Sequence, residues 1–161
     1  MMAPVFESDE PVDYTTMFEP TASEFAASGK GDIVASVGEA SGEIPYTSFS
    51  ASKSYLDKNP EVIKNFLRAI VKGYNYIKDN TPEKVAEALA QSFTGTSRES
   101  LAAAVKSYLK IDAWCATPLF TEEAYIKLQE VMENAGFLDA RVTYTGAVNN
   151  EFVNAILADK V

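Results

Sequence analysis

The chain changes its hydrophobic period once, and that change limits what it can fold into. Up to about residue 50, apolar residues fall in short β-rich runs, at alternate positions in the first of them, the pattern of strands. From Asn59 onward they recur every three to four residues, the pattern of amphipathic helices. Three strands are expected, at about 12–18, 32–37 and 44–50, followed by a helix-rich carboxyl-terminal part. The fold class read from this order is α/β, with few strands for so many helices.

In the first run, Val12, Tyr14, Thr16 and Phe18 share one face, and the run stops at Glu19-Pro20. The eleven residues before it read as a mobile lead-in. Thr21-Ala22-Ser23-Glu24 has the spacing of a capping box, in which the threonine hydroxyl takes the N3 amide while the glutamate reaches back. The short helix it opens is expected to end at Ser28-Gly29-Lys30-Gly31. Asp32 to Val37 forms the second run, closed by Gly38, and a turn is expected between Glu39 and Glu43. Pro45 cannot donate to a ladder, which puts the third run at a sheet edge or at a strand's opening position.

Helix starts then follow in series. Asn59-Pro60-Glu61 combines an N-cap, a proline at N1 and a first-turn acid. The helix at 60–79 carries Val62, Ile63, Phe66, Leu67, Ile70, Val71, Tyr74 and Ile77 on one broad apolar face. Thr81-Pro82-Glu83 repeats the start, with Val85, Leu89 and Phe93 inward. Thr96-Ser97-Arg98-Glu99 is a further capping box before Leu101, Val105, Tyr108 and Leu109. An irregular bridge holds Trp114 and Cys115. Thr121-Glu122-Glu123 opens a helix that ends at Gly136, and after a loop with Tyr144 and Gly146 a last helix carries Phe152, Val153, Ile156 and Leu157.

Composition excludes several kinds of function. With 14 Lys and Arg against 23 Asp and Glu, the formal charge is −9, and there is no basic run to neutralise phosphates, so nucleic acid is not an expected partner. No stretch approaches the roughly 18–20 apolar residues of a membrane helix, so no membrane insertion is expected. The acidic amino terminus, with no apolar core, predicts no export signal. Histidine is absent, which removes the commonest general base, the Ser-His and Cys-His pairs and imidazole metal sites. One cysteine permits neither an internal disulfide nor a multi-cysteine metal site. No catalytic residue, cofactor or metal is expected.

Four stretches taken in order carry a family resemblance: Val12-Asp13-Tyr14-Thr15-Thr16-Met17-Phe18-Glu19-Pro20, Asp32 to Val37, Tyr46 to Ser52, and Asn59 to Ala69. They resemble the carboxyl-terminal half of ABC-transporter solute-binding proteins of the nitrate/sulfonate/taurine, or NMT1/THI5-like, group, over about residues 12–158. The resemblance implies a partial type II periplasmic-binding-protein fold. Residues 1–43 would finish the second lobe, 44–52 would cross between lobes, and 53–161 would be the helical closing part of the first lobe. Family members are typically about twice this length. The implied function is non-catalytic capture of a small solute such as a sulfonate, nitrate or pyrimidine-like compound. The implied partners are that ligand, the importer's permease, and the missing amino-terminal half or a self-associated copy. The full-length family is extracytoplasmic.

The candidate ligand-binding residues are Phe18, Glu19, Tyr46, Thr47 and Ser48. Phe18 and Glu19 lie beyond a strand's carboxyl end, where open α/β sheets bind ligands. Phe18 could stack on a solute and Glu19 could accept from an amine. Against this, Phe18 could be core, and Glu19 a solvated charge near a positive helix end. Tyr46, Thr47 and Ser48 make a hydroxyl-dense crossover suited to a polar ligand, or simply line a strand. Trp114 reads as a junction plug and Cys115 as unreactive. Two alternatives stand beside solute capture. One is a stand-alone helical protein-protein interaction module using the 60–79 face. The other, ranked last because that chemistry relies on histidine, is an enzyme of thiamine-precursor type.

Overall fold

The computed structural model describes residues 2–8 and 12–159. Ten helices are present among them: α1 (Met2–Phe6), α2 (Thr21–Ala27), α3 (Val37–Ser41), α4 (Lys53–Lys58), α5 (Pro60–Asp79), α6 (Pro82–Leu89), α7 (Arg98–Lys110), α8 (Glu122–Asn134), α9 (Tyr144–Ala147) and α10 (Glu151–Ala158). The described residues contain no strand, which corrects the expectation for 12–18, 32–37 and 44–50. The physical reason is non-local. A strand exists only when a neighbour takes its N–H and C=O groups, and none of the described residues supplies a ladder here. Their apolar side chains face water instead: Tyr14 is 77% exposed, Val34 74%, Tyr46 82% and Phe49 70%.

Other expectations are corrected locally. The lead-in contains helix α1, whose Phe6 ring meets that of Phe25 at 6.3 Å; residues 9–11, where the lead-in was to end, lie outside the described residues. Val37 closes no strand but opens α3, where Ser36 Oγ accepts from the Glu39 amide at 3.2 Å. That short helix replaces most of the expected turn. Phe93 lies past the end of α6 and is exposed.

The later helix starts follow the capping chemistry closely. Thr81, Ser97 and Thr121 sit at the N-caps of α6, α7 and α8, and each side-chain oxygen accepts from the amide three residues on, those of Lys84, Ser100 and Ala124. In α7 the cap is Ser97, one residue later than the capping-box spacing from Thr96 implies. Gly29 and Gly136 end α2 and α8 with φ of 71° and 73°, a left-handed conformation that costs glycine nothing sterically.

The chain divides into two compact units, Met1–Ala40 with Tyr76–Trp114, and Ser41–Asn75 with Cys115–Val161. In the first unit α6 packs on α7, which also meets α2. Its core is Val85 and Ala86 from α6 with Leu101, Ala104 and Val105 from α7. Trp114 stands edge-on to Tyr108 at 5.3 Å, a junction contact of the expected kind.

In the second unit the buried side chains are Val71, Ala124, Gln129, Val153 and Ile156. Phe120, Tyr125 and Tyr144 form a row of rings 5.8 Å apart. Two amides tie loops to helices. Asn150 donates to the Phe120 carbonyl at 2.8 Å and to Tyr144 Oη at 2.7 Å, and it accepts from the Phe120 amide at 3.2 Å. Gln129 accepts from the Val142 amide at 2.7 Å and donates to the Val142 carbonyl at 3.2 Å, satisfying that backbone as a paired strand would. Burial, and then the nearby Cys115, push the Tyr74 hydroxyl above its ordinary pKa. The apolar face of α5 is only partly covered: Val71 is buried, while Val62 and Phe66 remain exposed.

Candidate functional site

The five candidate residues divide between the two units, Phe18 and Glu19 in the first and Tyr46, Thr47 and Ser48 in the second. Phe18 and Glu19 sit at the entry to α2. The Phe18 carbonyl accepts from the Ala22 amide at 3.1 Å, which holds the residue against the first turn, and the residue is 58% exposed. The reading of Phe18 as core therefore fails in this chain. The Glu19–Pro20 peptide is cis.

Glu19 is the best-defined polar group of the set. Its Oε2 accepts from the Ser23 amide at 3.1 Å and its Oε1 from the Ser23 hydroxyl at 2.9 Å. The carboxylate thus satisfies an orphan N–H in the first turn of α2, where the helix dipole also favours a negative charge. Thr21, expected to be the cap, lies inside the helix, and the N-cap residue is Pro20, which makes no side-chain bond. Ser23 is the site residue that sequence reasoning missed. A carboxylate four residues ahead of a serine across a proline has no capping signature, so only the folded geometry reveals the pair.

Replacing Glu19 by alanine is expected to cost about 1 kcal/mol, as loss of a cap does. The thermal midpoint would fall by about 2–4 °C. An unchanged midpoint on calorimetry would mean that the carboxylate contributes nothing to α2.

Tyr46, Thr47 and Ser48 are all exposed, in a segment with neither helix nor strand. Phe49, which follows them, packs edge-on against Phe66 of α5 with centroids 4.8 Å apart. The contact fixes the end of the hydroxyl run while leaving the hydroxyls at the surface. None of the five residues lines the open depression of about 490 Å³ on α8, bordered by Glu122, Glu123, Ile126, Lys127 and Glu130. Nor do they line the one of about 290 Å³ between α6 and α7.

Chemically, the first unit contributes a carboxylate acceptor and an aromatic face at the entry to α2, and the second an exposed aromatic ring with a row of hydroxyls. Among the described residues, no group of three or more His, Cys, Asp or Glu could hold a metal ion. No helix among them is long and apolar enough to cross a membrane.

Residues 8–84 match the family described as NMT1/THI5 like, a stretch that includes all five candidates and all three extended segments. The chain is also similar to "Putative binding protein YtlA" of Bacillus subtilis (strain 168), 34% identical over 148 residues. That alignment takes in 92% of this chain and 44% of the relative, so the chain spans less than half the length of the curated protein it matches. No solved structure matches it.

Proposed function

We propose, from the match of residues 8–84 to the family described as NMT1/THI5 like, that the chain is a member of that family and captures a small solute without transforming it. In this reading it is the substrate-binding component of an ABC importer, or a part of one, working outside the cytoplasm and delivering to a permease. The solute is a sulfonate, nitrate or pyrimidine-like compound. Phe18 stacks on it, Glu19 accepts from an amine or orients a neighbour, and the hydroxyls of Tyr46, Thr47 and Ser48 hold its polar atoms. Residues 1–43 finish one lobe, 44–52 cross over, and 53–161 close the other.

The observation that carries this reading is the state of segments 12–18, 32–36 and 44–50. They are patterned as strands, lie in the family-matched region, and leave Tyr14, Val34, Tyr46 and Phe49 in water. In this account these segments pair as strands in a ladder whose other side lies outside residues 1–161. The partner in this account is the stretch corresponding to the part of the Bacillus relative that residues 1–161 do not match, supplied in the test as a complementing polypeptide. With it bound, the segments become strands and the candidate residues border a cleft. A name that describes the relative as a binding protein supports the same role.

The test is ligand-induced stabilisation of the chain combined with that polypeptide, screened with sulfonates, nitrate, pyrimidines and aromatic acids. A true solute at one hundred times its dissociation constant adds about 2.7 kcal/mol, a rise of about 5–10 °C in the midpoint. No shift with any of the four classes contradicts solute capture.

A second reading, a helical module that binds another protein through α5, is favoured by the exposure of Val62 and Phe66 on that helix. It predicts self-association or capture of a partner by the chain alone, with no response to solutes. A cooperative monomer that binds no apolar dye counts against it.

A further inference from the structure

The apolar side of α5 is wider than a helix with one covered face needs. At about 100° per residue, the apolar positions of 60–77 run from Ala69 through Val62, Gly73 and Phe66 round to Val71, an arc of about 200° where a surface helix uses about 100°. The two halves of that arc fare differently. Toward one edge Val71 is buried and Ile63, Leu67, Ile70 and Tyr74 are half-buried. Toward the other, Val62, Phe66, Ala69 and Gly73 fall in one line along the helix and all are exposed.

The exposed line is shaped for contact. Gly73 is not among the residues with positive φ, and a Cβ built on it meets nothing within 4 Å, so neither its backbone nor packing within this chain requires a glycine. Glycine there disfavours the helix about fivefold relative to alanine. With Ala69 one turn away it leaves a shallow place where another backbone can lie close. Phe49 shows what adjoins this surface. It packs edge-on against Phe66 at 4.8 Å while remaining 70% exposed, so the strand-patterned segment 44–50 and the exposed line of α5 are continuous within the second unit. A ladder neighbour lies about 4.8 Å to the side of a strand. Whatever pairs with 44–50 therefore runs within side-chain reach of Phe66.

We infer that Val62, Phe66, Ala69 and Gly73 of α5 are an interface for the same stretch that pairs with segment 44–50. That stretch corresponds to the part of the Bacillus relative that residues 1–161 do not match, more than half of that protein. It sets apolar side chains against Val62 and Phe66 and lays its backbone over Ala69 and Gly73. The inference rests on the assembly invoked for solute capture, and it claims for that assembly the face that the second reading gives to another protein.

Titration calorimetry of the full chain with the complementing polypeptide tests it, using variants that spare the chain itself. Gly73→Leu enters open space and favours the helix, and Val62→Asp places an acid in the first turn, so neither is expected to lower the thermal midpoint of the chain alone. Both are expected to weaken assembly about tenfold or more, the leucine by overfilling the contact and the aspartate by losing its water. Asn65→Asp, on the polar side of the same helix, is the control and should assemble normally. Unchanged assembly by either test variant while Val34→Pro weakens it, or equal weakening by Asn65→Asp, overturns this interface and leaves the paired strands standing. No assembly of the unaltered chain overturns both. A dimer of the chain alone that Val62→Asp disperses gives the surface to a second copy and overturns the inference as well.

Discussion

Replacing Val34 by proline is expected to leave the thermal midpoint of this chain unchanged and to weaken its assembly with the complementing polypeptide about a hundredfold. The two halves of that expectation have different causes. Val34 is 74% exposed and belongs to no helix or ladder, so in the chain alone proline removes nothing that is made. In the assembled protein, residues 32–36 would be a paired strand. There a proline deletes one ladder bond, at about 1 kcal/mol, and leaves the partner's carbonyl buried without a donor, at about 1–3 kcal/mol more. About 2.7 kcal/mol is a hundredfold in affinity. Val34→Thr, which keeps the amide and suits a strand, is the control and should assemble normally. If titration calorimetry finds the proline variant assembling as tightly as the unaltered chain, segment 32–36 is not paired.

The second large effect belongs to the core. Ile156 is 1% exposed, and with Val85 it is one of the two largest fully buried side chains among the described residues. Truncation to alanine removes apolar surface from the packed side and leaves a cavity, a change that costs about 3 kcal/mol in well-packed interiors. For a chain of this size the midpoint falls by about 6–12 °C. Its neighbour Leu157 is 40% exposed on the other side of the same helix, and Leu157→Ala should cost far less. Equal losses at the two positions would mean that α10 does not present Ile156 to the core as described.

What the sequence made legible follows from the range of the forces involved. Helix starts at Thr81 and Thr121 were readable because a hydroxyl and the amide three residues on decide them locally. The bounds of α5 were readable from Asn59-Pro60 and from its apolar spacing. That spacing did not reveal how much of the face is covered, because coverage depends on distant residues. The strands failed for the same reason: alternation at 12–18 and an apolar run at 33–35 show what a segment can pair as, and pairing needs a partner. Ser97 taking the cap from Thr96, and Val37 opening a helix, are competitions between adjacent signals that only the folded chain resolves.

The candidate site was legible in part. The chemistry of Glu19 near a positive helix end was visible in the sequence, and the carboxylate does bond the first turn of α2. Its exact partner, Ser23, was not. The exposure of Phe18, which the sequence left open between core and surface, goes with the absence of a ladder over 12–18 among the described residues.

Amide hydrogen exchange at residues 32–36 and 46–50, in this chain alone and with the complementing polypeptide, addresses the central claim directly. In the chain alone these amides are expected to exchange near the rate of an unfolded peptide. In the assembly they are expected to slow at least a hundredfold, as ladder amides do. The same fast rate in both samples, or protection already present in the chain alone, would contradict the claim that these segments are strands waiting for a sheet.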